Sequence, residues 1–159
     1  MRRKEREITD LQELKAIINN CDVCRVAFAD DNVPYIVTMN FGYSVGDGKI
    51  YFHCAREGRK IEMIRKNNYV CFEMDTNHIL HEGIRACDFG MSYSSIIGYG
   101  QITIVKDPDE RISGLNQIMS HYTSKKEFSY KQDALEKTMV LRLDIKEMTG
   151  KKKWLIVMG

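Results

Sequence analysis

The sequence has little of what marks fibrous, disordered or membrane-spanning chains. It contains 2 prolines and 1 tryptophan in 159 residues and no low-complexity tract, which excludes collagen-like and proline-rich extended architectures. No apolar run approaches the roughly 20 residues that a membrane-spanning helix needs. Residues 1–10 are charged and polar and no apolar segment follows them, so we expect no signal peptide and no membrane span, and we expect a cytoplasmic location.

Cysteine and charge exclude two further classes of protein. The chain has 5 cysteines, an odd number, which together with the lack of an export signal argues for reduced thiols rather than a disulfide framework. The net charge is only +2, and the basic residues cluster near the two ends, at 2–6 and 151–153. No motif of a nucleic-acid reader accompanies them, so we do not expect nucleic-acid binding.

What the sequence does have is the composition of one folded domain. Hydrophobic residues make up 43% and charged residues 29%, and no linker or repeat interrupts residues 1–159. A helix is predicted after Thr9, where Thr9 and Gln12 have capping-box spacing. Further helices are predicted at 60–66 and from Pro108, a long loop at 76–91, and strands at 23–29, 34–45, 50–55, 69–74, 92–105 and 139–145.

The order of these elements predicts a barrel. Gly46-Asp47-Gly48 is a hairpin signal, and the connections between the first strands are too short for crossover helices. Gly98 and Gly100 interrupt the strand at 92–105 and indicate a bend or bulge. We therefore predict a mainly β (α+β) fold, an antiparallel six-stranded barrel that is closed or half-open, with peripheral helices.

An anion site is predicted where the strand at 50–55 runs into Gly58-Arg59-Lys60. The first backbone N–H groups of a helix are unpaired and carry the positive end of its dipole, so basic side chains there add charge to a ready-made phosphate site. The local alternative is that Arg59 and Lys60 are simply exposed first-turn residues of a surface helix.

Two cysteine and histidine groupings raise the question of a metal or redox site. Cys21 and Cys24 have suitable spacing but lack a second pair, and His78, His81, Glu82 and Cys87 lie close in sequence without a helical HExxH pattern. We predict no metal site from either grouping.

Four blocks in order carry a family resemblance: PYIVTMNFGY at 34–43, IYFHCAREGRK at 50–60, SSIIGYG at 94–100 and IMSHY at 118–122. Together they resemble the pyridoxamine 5'-phosphate oxidase-like FMN-binding split barrels. Within these, the chain is most similar to the 5-nitroimidazole resistance (Nim-type) branch. The similarity covers nearly the whole chain.

The resemblance implies a homodimer with FMN in grooves at the subunit interface and a small-molecule substrate. Val37, Thr38, Met39 and Asn40 would then run beside the isoalloxazine ring. His53, Cys54 and Ala55 would lie near the ribityl chain and phosphate, Arg59 and Lys60 would hold the phosphate, and Ser95 falls where the oxidases carry a flavin-contacting glutamine. His53 is the candidate catalytic residue, and its alternative is a satisfied histidine of the barrel wall.

The chain departs from the oxidases where they carry an arginine and a lysine beside the flavin strand, since Tyr35, Val37 and Asn40 stand here. Oxidation of pyridoxamine phosphate is therefore not expected. The resemblance instead implies an FMN-dependent reductase, with nitroimidazole or other nitroaromatic compounds as the substrate class. The alternative is a non-enzymatic protein that binds flavin or haem for storage, shielding or sensing.

Overall fold

A computed structural model of the chain describes residues 3–44 and 46–154. In this part of the chain eight strands form one sheet in which every pairing is antiparallel. The strands are β1 (Glu7–Ile8), β2 (Cys24–Asp30), β3 (Val33–Met39), β4 (Phe41–Ser44), β5 (Lys49–Ala55), β6 (Tyr69–His81), β7 (Gly90–Ile104) and β8 (Thr138–Lys153). The antiparallel mainly β prediction is confirmed, with eight strands instead of six.

The α-helices are α1 (Leu11–Asn19), α2 (Arg59–Lys66), α3 (Pro108–Tyr122) and α4 (Gln132–Lys137), and short 3-10 turns lie at Lys4–Arg6 and Ala86–Asp88. Helix α1 is capped by the Asp10 carboxylate, which accepts from the Glu13 N–H at 2.8 Å, so the cap is one residue later than the predicted Thr9. None of the described helices is long and apolar enough to cross a membrane.

Within the described residues, the two end strands of the sheet are joined by the chain and not by hydrogen bonds between them. The strand order is β3-β2-β6-β7-β8-β5-β4, so the two end strands are consecutive in sequence and are separated only by Asn40. The prediction of one strand at 34–45 was wrong: β3 pairs with β2, whereas β4 pairs with β5. Val45 lies outside the described residues. Local composition could not show this break, because both halves are β-branched and aromatic.

The inner face of the sheet is the core. Phe28, Phe41, Phe52 and Phe72 are fully buried, and along β2 and the first half of β6 buried residues alternate with more exposed ones. Helix α1 adds Leu14, Ile17 and Ile18 to the same apolar cluster. Because successive side chains of a strand point to opposite faces of the sheet, these strands place their apolar residues on the inner face.

The predicted loop at 76–91 was wrong at its two ends, and only residues 82–89 lie outside the strands. Strand β6 continues to His81, where it pairs with the start of β7 at Gly90. We call the paired ends of these two strands, residues 76–81 and 90–94, the arm. A register shift between Thr76 and Ile79, with Asn77 at a φ of 60°, breaks the alternation that would have revealed the strand. Strand β8 likewise runs on to Lys153, beyond the predicted end at Ile145, because its partner β7 is long. The bulge predicted at Gly98 and Gly100 is present between Tyr99 and Gly100.

Helix α3 packs directly on β4, and Tyr122 at its C-terminal end bonds to the start of β4, next to the gap between β3 and β4. The Phe41 N–H donates to the Tyr122 hydroxyl at 3.1 Å, and that hydroxyl donates to the Asp22 carbonyl at 2.7 Å. The close approach depends on Gly42, since a Cβ built there would lie 2.3 Å from the backbone of Gln117. Only glycine fits at this crossing.

We therefore expect Gly42→Ala to lower the free energy of unfolding by about 1–3 kcal/mol, because the added methyl forces α3 away from β4. Urea denaturation followed by circular dichroism measures this. Gly46→Ala is the matched control, since no atom lies within 4 Å of a Cβ built at Gly46. Equal unfolding midpoints for the two variants would show that the packing of α3 on β4 does not require glycine at position 42.

Candidate functional site

The site is the gap where the barrel splits. Pairing between β4 and β5 stops at Phe41 opposite Phe52, so residues 53–55 of β5 have no partner on that side. In the described part of the chain β3 is an end strand and its outer edge is also unpaired. Two strand edges thus border one groove, and their backbone N–H and C=O groups remain available for a ligand.

The groove has a volume of about 450 Å³. Its lining contains most of the residues that the family resemblance indicated. They are Val37, Thr38, Met39, Asn40, His53, Cys54, Ala55 and Lys60, joined by Lys137 and Thr138. The fold thus brings two separate sequence blocks, 34–43 and 50–60, together in one groove.

A smaller lobe of about 200 Å³ continues the groove to the start of α2, and Val37, Cys54, Ala55 and Lys60 line both. Gly58 is the N-cap of α2 at a φ of 120°, and its carbonyl accepts from the N–H groups of Ile61 and Glu62 at 2.9 and 3.2 Å. The N–H groups of Arg59 and Lys60 bond to no backbone acceptor within the described residues. The lobe therefore has the donors of a helix N-terminus.

The two cations at this end contact neutral groups, although Glu57 also lines the lobe. The Lys60 ammonium lies 3.3 Å from the Met39 sulfur, and the Arg59 guanidinium lies 4.6 Å from the centre of the Tyr35 ring. Across residues 3–44 and 46–154, neither makes an ion pair with a carboxylate. A thioether and a ring face neutralise no charge, so both cations are available to an anion.

His53 lies on the groove and not inside the barrel wall. Its side chain is exposed, whereas the preceding Phe52 is fully buried. Helix α3 covers Tyr51, the previous outward residue of β5, and leaves His53 open. The imidazole can thus meet a ligand in the groove.

The cysteines of the site and of the 21–24 segment are protonated thiols at neutral pH. Burial raises the pKa of the Cys54 thiol, and the Lys60 charge offsets only part of that shift. Burial also raises the pKa of Cys21 to about 12 and that of Cys24 well above its ordinary value. Protonated thiols are poor nucleophiles and poor metal ligands.

His78 and His81, the two histidines of the arm, bond to separate partners and not to a shared metal site. The His78 ring lies 2.7 Å from the Asp75 carboxylate, and the His81 ring lies 2.7 Å from the Ser92 hydroxyl. Among the residues described, no three His, Cys, Asp or Glu side chains are close enough to hold a metal ion.

Ser95 is not in the groove of its own chain. It lies in the middle of β7, in register with Asp75 and Lys151, and strands β6 and β2 separate β7 from β3. Lys137 and Thr138 line the groove instead, and sequence reasoning missed them because α4 has no clear periodic signal. The Arg56 and Arg111 side chains hold this segment by donating to the carbonyls of Glu136, Leu135 and Thr138.

An apolar patch lies next to the groove on the outside of the barrel. Ile36, Ala27, Cys71 and Tyr99 lie opposite one another across β3, β2, β6 and β7. Ile36 is 64% exposed, Ile97 and Tyr69 48% and Tyr99 39%. We call these six residues (Ala27, Ile36, Tyr69, Cys71, Ile97, Tyr99) the open sheet face. Patches of this kind usually mark interaction surfaces.

Comparison with known proteins agrees with the fold. Residues 10–152 match the family model described as pyridoxamine 5'-phosphate oxidase. The chain belongs to this family. No curated protein sequence gives a significant match.

Solved structures extend the family likeness. A candidate 5-nitroimidazole antibiotic resistance protein from Bacteroides thetaiotaomicron shares 36% identity, covers 92% of this chain and 86% of its own, and has a TM-score of 0.81. The flavocytochrome Anf3 from Azotobacter vinelandii shares 19% identity over 98% of this chain and 72% of its own, with a TM-score of 0.82. A FAD-binding protein from Mesorhizobium loti shares 22% identity over 94% and 98%, with a TM-score of 0.67.

The family membership that the four sequence blocks predicted is thus confirmed. The first of these structures supports the likeness to the 5-nitroimidazole resistance branch as well. The other two, at lower identity, show the split-barrel fold alone.

Proposed function

We propose that this protein is an FMN-dependent oxidoreductase whose acceptors are nitroimidazole or other nitroaromatic compounds. The observation that supports this most is the groove between two unpaired strand edges, which ends at two cations without carboxylate partners on a helix N-terminus. A flavin mononucleotide has the same two ends, a flat ring with a polar edge and a phosphate.

The residues present fit FMN. Free backbone groups on the edges of β3 and β5 suit the N–H and C=O pattern of the isoalloxazine edge, and the flanking strands limit the space to about 450 Å³. The lobe beside Gly58 offers two backbone N–H groups, an ammonium and a guanidinium to the phosphate. Val37 to Asn40 would follow the ring, and Arg59 and Lys60 would hold the phosphate.

When bound, the flavin supplies the hydride and electron chemistry. The protein's part is to place it and to stabilise charge. Backbone N–H groups aimed at the polar edge of the ring favour its reduced, anionic form, because they are already oriented and need not reorganise. His53 is exposed on the groove, and we assign it the role of proton donor to the acceptor.

The 36% identical relative, whose description names 5-nitroimidazole resistance, supports the proposed acceptor class. A nitro group accepts electrons readily, as the acceptor of a reduced flavin must. The free thiols of the chain suit a reducing compartment, and we propose the cytoplasm.

A second candidate function is a non-enzymatic cofactor carrier. His53 is an exposed imidazole in a groove of cofactor size, and an imidazole is also the commonest axial ligand of haem iron. The protein from Azotobacter vinelandii that shares this fold at 19% identity is named a flavocytochrome. Turnover separates a carrier from an enzyme.

We further propose a homodimer that buries the open sheet face. Its exposed apolar side chains adjoin Thr38, which lies opposite Arg25 on the same face and lines the groove. In such a dimer Ser95 of one subunit could lie at the groove of the other, although it lies away from the groove of its own chain.

Replacing Arg59 and Lys60 by alanine should lower FMN affinity by a factor of about 30 or more, because two charge-assisted contacts to the phosphate are lost. The visible spectrum of the freshly purified protein and a titration of the flavin-free protein with FMN measure this. Lys125→Ala with Lys126→Ala, two exposed lysines outside the groove, is the control for net charge. Stoichiometric FMN in the Arg59 and Lys60 variant would refute the phosphate assignment.

The wild-type protein should oxidise NAD(P)H faster than free FMN does when a nitroimidazole is present under anaerobic conditions. His53→Ala should keep its flavin but lose turnover by about 100-fold, the scale of one general acid. The rate per bound flavin is the quantity to compare. No acceleration by the wild type favours the carrier, and equal rates in both proteins remove His53 from the chemistry.

Ile97→Asp should convert the dimer to a monomer, because it places a charge on a surface that association would desolvate. Sedimentation equilibrium reports the mass, and circular dichroism shows that the monomer remains folded, as expected for a side chain already 48% exposed. Leu11→Asp, 50% exposed on α1 away from the open sheet face, is the control. A wild-type protein that is monomeric at micromolar concentration would contradict the dimer.

A further inference from the structure

A second basic pocket adjoins the flavin groove. It has a volume of about 560 Å³ and lies between the end of β5, α2, the end of β7 and the start of α3. Its basic lining residues are Arg56, Arg65, Lys106 and Arg111, and we call it the arginine pocket. Thr138 lines both this pocket and the groove, so the two sites are neighbours.

Two of the four cations are held in place by the backbone. The Arg56 guanidinium donates to the Glu136 carbonyl at 2.7 Å, and Arg111 donates to the Leu135 and Thr138 carbonyls at 2.7 and 3.0 Å. A guanidinium has five N–H donors, so each arginine keeps donors for another partner. These contacts orient both groups before any ligand arrives.

The charge of the arginine pocket is not neutralised from within. No salt bridge joins Arg56, Arg65, Lys106 or Arg111 to a carboxylate in the described ranges. Glu57 and Glu62 line an adjoining pocket that also includes Arg56 and Arg65. Four cations around one concave surface attract an anion with more than one charge.

We propose that the arginine pocket binds the diphosphate group of a nucleotide. A single phosphate is satisfied by the two cations of the flavin groove, whereas four cations suit two linked phosphates, for which arginine forks are the preferred partners. The volume accommodates a diphosphate with its ribose. The shared border at Thr138 places such a nucleotide beside the flavin groove.

This chemistry has two sources. One is the reduced nicotinamide dinucleotide that would supply electrons to a bound flavin, and the other is the ADP half of FAD with its ring in the groove. Naming the source rests on the proposed flavin function, but binding of a nucleotide diphosphate at the pocket does not.

The test is titration of the flavin-free full-length protein with ADP in a calorimeter. Arg65→Gln with Lys106→Gln removes two charges and spares the arginines that hold the end of α4. We expect this variant to bind ADP at least about tenfold more weakly than the wild type, with a smaller salt dependence. Lys125→Gln with Lys126→Gln makes the same charge change outside the pocket and should bind ADP like the wild type.

Equal ADP affinity in the Arg65 and Lys106 variant would overturn the proposal. Loss of ADP binding only in the Arg59 and Lys60 variant would overturn it too, because the phosphates would then occupy the flavin groove. Both results are decisive whether or not the protein binds flavin, so failure of the FMN assignment is seen separately.

The source is decided by two further titrations. If the FMN-loaded protein binds NADPH and the Arg65 and Lys106 variant binds it more weakly, the ligand is the electron donor. If FAD binds the flavin-free protein more tightly than FMN does, and the variant loses that preference, the ligand is the ADP half of FAD. Absence of any effect of the variant on both ligands contradicts the proposal.

Discussion

The structure depends on the separation of two consecutive strands at Asn40. The chain leaves β3 paired with β2 and enters β4 paired with β5, so the barrel opens between them. Tyr122 holds this opening by accepting from the Phe41 N–H and donating to the Asp22 carbonyl. Gly42 lets α3 approach closely enough for that contact. The ligand groove exists because these contacts keep the strand edges apart.

The second feature of the groove is the positive charge of the side chains around it. A backbone edge gives a ligand orientation but little affinity, and the charge comes from side chains whose own neighbours do not neutralise it. Lys60 lies against a thioether and Arg59 over a ring, while Arg56 and Arg111 donate to neutral carbonyls. Elsewhere in the described chain the pattern differs, as in the Arg142 pairs with Glu110 and Asp144. Cations left without carboxylates on one side of the barrel suit phosphate ligands.

Sequence reasoning succeeded where local chemistry and local geometry coincide. The hairpin at Gly46–Gly48, the start of α3 at Pro108 and the helix after Gly58 follow from turn and capping preferences that neighbours in sequence determine. It failed at the arm, where a register shift breaks the alternation of the strand, and at the C-terminal strand, whose length is set by a distant partner. Lys137 and Thr138 could not be found either, because backbone contacts from Arg56 and Arg111 carry them to the groove.

The sequence by itself determined the family, the antiparallel character of the sheet and the basic residues at the start of α2, since ordered blocks and short-range preferences encode them. Only the tertiary structure decided that β3 and β5 are unpaired at the same place, that His53 faces the groove and that Ser95 lies away from it. The reason is that pairing partners far apart in the chain set each strand's neighbours and hence its free edges. The arginine pocket is of the same kind, because α2, α3 and the segments that follow β5 and β7 each bring it a single basic residue.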